Sequence, residues 1–305
     1  MSRSARNFLA LFGVVVLLIV IVALGPLRSK LKSVFGAKAT TTTVQTRPIA
    51  VPVPEGFRIG QVLFRLHSEV PSLDVENMRQ MLASGQVTST LLPPGGVPAS
   101  VIPPSGSPME GLLFPATYSV PPGSNAMHVL TEMAQKMETE TASLGIADAS
   151  ARLRLTPYQL IIVASMVERE TGNPDEAPKI ARVIYNRLAK NQPIGIDATL
   201  QYLHCTRVTE GDCPPVTVAE LTTLKKDPSP YNTYVHVGLP PTPIGAPGDS
   251  ALTAALNPAD GTWLYYVRST TNDAQGRPQH LFFDNDTGPE YKQAVDACRA
   301  ANLGC

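Results

Sequence analysis

The sequence has no excess of charge of either sign: 25 basic residues stand against 25 acidic ones in 305, and charged side chains make up only 16%. That balance gives no reason to expect nucleic acid as a partner and suits a neutral polymer such as a glycan. Metal-ligand spacing is missing too. The five histidines and four cysteines form no CxxC or similar pattern, so neither a zinc site nor a thioredoxin-type redox site is indicated, and no cofactor is expected. A convincing internal repeat is also absent. What the chain has in quantity is proline, 29 residues, which points to loop-rich connections and an extended spacer.

Polar side chains are absent from Phe8 to Leu24, a run of seventeen residues that predicts a single transmembrane helix. A cleaved signal peptide is the rival reading, but the run is long for one and Pro26 would block cleavage after Gly25. Arg3 and Arg6 before the span are matched by Arg28, Lys30 and Lys32 after it, so flanking charge does not orient it. The cysteines carry that argument. Cys205, Cys213, Cys298 and Cys305 all lie in the last third. In an exported domain they suit two local bridges, Cys205 to Cys213 and Cys298 to Cys305, although two other pairings are formally open.

The pattern divides the chain into four segments: a tip and anchor over 1–35, an extended tether over 36–54, a small module with a Pro-rich connection over 55–122, and a helix-rich α+β catalytic domain over 123–305. In the small module, Ile59, Val62, Leu63 and Leu66 mark one short helix, and Val75, Met78, Met81 and Leu82 a second, opened by Asp74. Nine prolines between Leu92 and Pro122 predict a wrapping loop, with EGLLFPATY (Glu110 to Tyr118) apolar enough to dock on the catalytic domain. The clearest helix begins at Thr156, where Pro157 and Gln159 complete a capping box, and is expected to stop at Gly172. A second, near Pro178 to Lys190, should pair with it as a hairpin. Further on, the pattern predicts a helix at Ser250 to Leu256, strands in TWLYYVRS and HLFFD, and a last helix near Pro289 to Ala301.

Glu170 extends the buried stripe of the Thr156 helix, four residues after Met166 and seven after Val163. A carboxyl group in an apolar wall, near the negative end of a helix, has its charged form disfavoured and tends to keep its proton. That is what a general acid for glycosidic cleavage requires, usually with a second carboxylate as partner. Glu168 and Asp197 are the candidates within reach. A solvated helix end is the competing reading for both glutamates, and a turn role after Gly195 competes for Asp197.

The segment LIIVASMVERETGNPDEAPKIARVIYNRL, then IDATLQY, then SPYNTYVHVGLPPTPIGAPGDSALTAALNPA and WLYYV, resembles the YceG-like endolytic murein transglycosylases over most of Glu55 to Tyr291. The resemblance implies that Glu170, in the dipeptide Glu170–Thr171, is catalytic. It also implies that Glu168, Asn186, Asp197, Thr199, Tyr202, Tyr231, Asn232 and Tyr234 line the cleft and bind substrate. The implied reaction is non-hydrolytic. Glu170 would protonate the oxygen between N-acetylmuramic acid and N-acetylglucosamine, and then, as carboxylate, take the proton of the muramyl 6-hydroxyl as it attacks C1, leaving a 1,6-anhydro end.

The partners implied are peptidoglycan glycan strands, the cytoplasmic membrane and peptidoglycan synthases, with the catalytic domain on the extracytoplasmic side and a role in glycan chain termination. Three features depart from the family pattern. Ala198 stands where proline is usual between Asp197 and Thr199. The His-x-Phe-Ser pattern is kept only as His280, Phe282 and Phe283. The stretch before Glu110 is short for a full membrane-proximal region with LysM-like modules. A lysozyme-type hydrolase and a non-catalytic wall-binding scaffold are the alternative functions.

Overall fold

The computed structural model describes residues 47–208 and 211–303. The expected span Phe8–Leu24, most of the tether and Cys305 lie outside them. Among the described residues no helix is long and apolar enough to cross a membrane. The fold is α+β, with helices around two separate two-stranded antiparallel sheets.

The first sheet takes in the end of the expected tether. Ile49–Pro52 (β1) is extended, as expected, but it pairs with Thr117–Val120 (β2) in the register Ile49↔Val120 to Pro52↔Thr117. Val51 and Val53 from one strand and Tyr118 and Val120 from the other point inward with the period of two that a half-buried sheet needs. Between them lie Ile59–Glu69 (α1) and Val75–Ala83 (α2). Ile59, Val62, Leu63 and Leu66 are buried as their spacing predicts, and the Asp74 carboxylate accepts the Asn77 N–H at 2.8 Å. The Pro-rich stretch forms a single short 3-10 turn at Ala99–Val101 before β2. Its EGLLFPATY portion is docked: residues 110–115 are buried, and the Phe114 N–H donates to Met133 O. Gly111 sits there at φ +71°, and a Cβ on it would come within 2.4 Å of Pro243 Cβ.

Ala126–Ser143 (α3) and Ile146–Leu153 (α4) lead to Pro157–Glu170 (α5). Both bonds of the capping box form, Gln159 N–H to Thr156 Oγ1 at 3.2 Å and Thr156 N–H to Gln159 Oε1 at 2.9 Å. From Tyr158 to Val167 every residue except Gln159 is buried, so α5 must be enclosed on all sides. Within it, the fully buried Ser165 hydroxyl donates to Ile162 O and accepts from Ile244 N–H. The expected stop at Gly172 is made instead by Thr171, extended at φ −138°. Ala177–Ala189 (α6) returns beside α5, and Asp249–Leu256 (α9) packs on both. Asp197–Val208 (α7) and Val218–Leu224 (α8) intervene in the chain.

Tyr265–Asn272 (β3) and Pro278–Phe283 (β4) form the second sheet, with Pro289–Ala300 (α10) against β3. One polar row on α6 seats this sheet. Arg182 Nε donates to Ala259 O, Tyr185 Oη to Ala255 O, Asn186 Nδ2 to Gly261 O and Trp263 O, and Arg187 Nε to Leu264 O. Cys205 and Cys213 form the expected bridge. Cys298 is also disulfide-bonded.

One hydrophobic cluster runs from Val51 to Leu256, so residues 55–122 share a core with the helices after them. Inside it lies a carboxyl group. Glu110 is fully buried, accepting the Ile59 N–H at 2.8 Å and the Tyr202 hydroxyl at 3.0 Å. Burial pushes its pKa from the ordinary 4.5 up to about 7, against the opposing pull of those two bonds and of Arg58. The folded state therefore holds this proton more tightly than the unfolded chain. Its contribution to stability is fully present below pH 4.5 and is lost as pH rises through 7, a change on the order of 3 kcal/mol. Glu110→Gln, whose amide can bond the same two partners but cannot ionise, should flatten this part of the stability profile. Denaturant unfolding of both proteins between pH 4.5 and 8 measures it, and parallel profiles would contradict the assignment.

Candidate active site

Glu170 is the last residue of α5 and lines a pocket of about 580 Å³. Three elements converge on it. From β3, the Tyr266 hydroxyl donates to Glu170 Oε2 at 2.6 Å. From the start of α7 come Asp197 and the backbone N–H of Ala198, which faces the Glu170 carboxyl. From β4 comes His280, edge-on to the Tyr266 ring at 5.4 Å between centroids. Buried Glu176 holds this histidine twice, accepting its backbone N–H at 2.7 Å and bonding Nδ1 at 2.9 Å.

The start of α7 is aimed by a buried polar staple. Gly195, at φ +64°, donates its N–H to Thr233 O, and Ile196 N–H donates to Thr233 Oγ1. Thr199 Oγ1 closes the turn on Ile196 O at 2.7 Å and lies 3.0 Å from Thr233 Oγ1. Asp197 then projects into the pocket, accepting from Tyr234 Oη and pairing with Lys225 Nζ at 3.3 Å. Lys225 also lies over the Tyr234 ring, 4.4 Å from its centroid.

Desolvation is the largest influence on Glu170 and raises its pKa. The Tyr266 hydroxyl opposes this by bonding the carboxylate, Asp197 adds to it by like-charge repulsion, and His280 and the Ala198 N–H oppose it. The net direction is upward, toward a carboxyl that keeps its proton. Ala198 matters here because proline, expected at that position from the resemblance, would bring no N–H.

Of the eight residues expected to line the cleft, the structure brings Asp197 and Tyr234 to Glu170 and uses the other six elsewhere. Glu168 is two residues back, about 200° round the helix, and accepts the Gly248 N–H beside Glu55 in a separate groove of about 230 Å³. Asn186 belongs to the α6 row that seats β3, and Thr199 to the staple. Tyr202 bonds Glu110 and Tyr231 bonds Thr242 in the core. Asn232 Nδ2 holds Leu224 O and Asp227 O. Each of the six is a buried or half-buried polar group matched to another group of the framework.

Sequence reasoning did not single out Tyr266, Arg187 or Lys225, and treated His280 only as part of a broken pattern. An alternation signal was there for Tyr266: adjacent strand residues face opposite sides, so only one tyrosine of Tyr265–Tyr266 can point toward Glu170.

The fold and pocket define a class: α+β proteins that present a desolvated glutamate at the end of a buried helix, beneath a tyrosine-rich hairpin. The family model described as the YceG-like family matches residues 29–297, and the chain belongs to that family. A curated relative from Bacillus subtilis strain 168, named endolytic murein transglycosylase, is 34% identical over 171 residues, 54% of this chain and 43% of that protein. One of the same name from Streptococcus pneumoniae strain R6 is 31% identical over 165 residues, 53% of this chain and 28% of that protein. The chain thus spans less than half the length of these relatives. Among solved structures, a yceG-like protein of Listeria monocytogenes superposes with a TM-score of 0.64 at 26% identity, covering 82% of this chain and 76% of that one.

The geometry predicts the direction of two substitutions. Tyr266→Phe removes the bond that favours the Glu170 carboxylate, so the Glu170 pKa should rise, and Ala198→Pro should raise it by deleting the facing N–H. Carbon-13 NMR titration of labelled glutamate reads both, and a downward shift in either variant would reverse the account.

Proposed function

We propose that this protein is an endolytic lytic transglycosylase that cuts the bond between N-acetylmuramic acid and N-acetylglucosamine within peptidoglycan glycan strands. The observation that carries this reading is the state of Glu170, a desolvated carboxyl in an open pocket with a hydroxyl donor on one side and a second carboxylate opposite. Protonated, it can donate to the glycosidic oxygen as the C1–O bond breaks. The resulting carboxylate is stabilised by the Tyr266 hydroxyl and the α7 N-terminus. It can then accept the proton of the muramyl 6-hydroxyl as that oxygen bonds C1, which regenerates the acid and consumes no water. Asp197, paired with Lys225, supplies negative charge opposite the developing oxocarbenium ion.

Phe8–Leu24 anchors the chain in the cytoplasmic membrane in this reading, with the catalytic part outside, where the Cys205–Cys213 bridge is chemically at home. The strand–helix–helix–strand order of residues 49–120 supports a LysM-like, wall-binding role for that part. Peptidoglycan synthases are fitting neighbours for a tethered enzyme that ends nascent strands.

Glu170→Gln should cut turnover of purified glycan strands about a hundredfold or more with the fold intact, whereas Glu168→Gln should do much less. Mass spectrometry of the products identifies the reaction, because a 1,6-anhydro end is lighter by one water than a reducing end. Reducing ends as the main product would replace this reading with a lysozyme-type hydrolase.

A further inference from the structure

The pocket around Glu170 is built for more positive charge than a neutral sugar needs. Its wall includes Arg187, Lys225 and Arg268. Lys225 offsets Asp197 at 3.3 Å, and Glu170 is biased toward its neutral form. Arg187 and Arg268 are different. Arg187 donates to the carbonyls of Leu264 and Ile194, and its guanidinium lies 4.8 Å from the Tyr265 ring centroid. Arg268 donates to Ser269 O at 2.7 Å, Gln279 O at 3.0 Å and Asn272 Oδ1 at 3.0 Å. Neither is in a salt bridge with a carboxylate among the described residues. Asp286 interacts with the Tyr265 hydroxyl and is not part of the pocket wall.

Carbonyls hold a guanidinium in place without cancelling its charge, so the two arginines are pre-positioned cations with donor capacity left over. Such an arrangement recognises a carboxylate. The sugar rings of a glycan strand carry none. The anionic groups on such a strand lie beyond the ether oxygen O3 of muramic acid, either the lactyl carboxylate itself or the carboxylates of an attached peptide. O3 is on the same ring as the C1 that Glu170 serves, and a pocket of about 580 Å³ has room for that ring and its substituent.

We propose that Arg187 and Arg268 form a carboxylate-binding subsite that takes the anionic group on O3 of the muramyl residue being cleaved. The subsite rests on the reaction proposed above and adds a substrate preference to it: strands whose muramyl substituents are charged are the true substrates, and uncharged ones are poor.

Three strand preparations test this: peptide-bearing strands, strands stripped by an amidase to leave the lactyl carboxylate, and stripped strands whose lactyl carboxylates have been coupled to methylamine. The neutral strands should be cleaved about tenfold more slowly than the better of the two charged ones, the scale of one charge-assisted contact. Which charged strand leads identifies the carboxylate as peptide or lactyl, and either result supports the subsite. Arg268→Gln should narrow the gap and Arg268→Lys should preserve more of it, because lysine keeps the charge. Equal rates on all three strands would overturn the subsite. Binding of the same strands to Glu170→Gln reads it apart from turnover. If no anhydro ends form from any strand, the reaction fails, while a tenfold affinity gap would still support the subsite and equal affinities would still refute it.

Discussion

The rest of the structure depends on the need to bury helix α5. An almost wholly apolar helix cannot face water on any side, so α4, α6, α7 and α9 pack around it, in one hydrophobic cluster that also takes in Leu112 and Leu113 of the docked strap. The burial ends abruptly. Val167 is fully buried, and three residues later Glu170 opens onto the pocket, its carboxyl desolvated because the helix that carries it lies in the core. The raised proton affinity of this carboxyl is thus first a product of packing, to which the like charge of Asp197 adds.

Around that carboxyl the structure sets opposing influences at short range. Asp197 and desolvation favour the acid, while Tyr266, His280 and the N-terminus of α7 favour the carboxylate. The net direction is upward, and the groups that favour the carboxylate are those that would stabilise it once the proton has been given up in the proposed reaction. The influences come from separate elements: β3 and β4, whose hairpin is fastened to the α5–α6 hairpin by polar contacts, and α7, which is stapled to Thr233. Asn173 ties the hairpin turn to Asp273 and Pro278 O, and Glu176 grips His280.

Local signals made much of the fold legible in the sequence. The capping box at Thr156, the apolar spacing of α1, α2, α5 and α6 and the two strands near the C-terminus are all readable from a few residues each. Pairings between distant segments were not. Nothing local says that Ile49 meets Val120, or that Asp197 opens a helix and not just a turn, because the Thr199–Thr233 staple that decides it spans 34 residues. The same limit divides the site. Glu170 was legible because its own helix buries it, whereas Tyr266 and Lys225 reach the pocket only through tertiary contacts. The framework bonds of Asn186, Tyr202 and Asn232 were hidden for a related reason: a polar residue in a motif looks alike whether it serves a substrate or a carbonyl.

Serving carbonyls has a consequence for the row on α6. Arg182, Tyr185, Asn186 and Arg187 grip residues 255–264 wholly through backbone oxygens, which every amino acid carries alike. A grip of that kind does not read the residue it holds. Over evolutionary time the exposed positions of the gripped segment are therefore free to change their side chains, while its core residues Ala255, Leu256 and Leu264 and the four gripping residues are not. Variation at Thr262 or Asp260 would leave the hairpin and its tyrosine in place over Glu170, but a single change at Asn186 would loosen it.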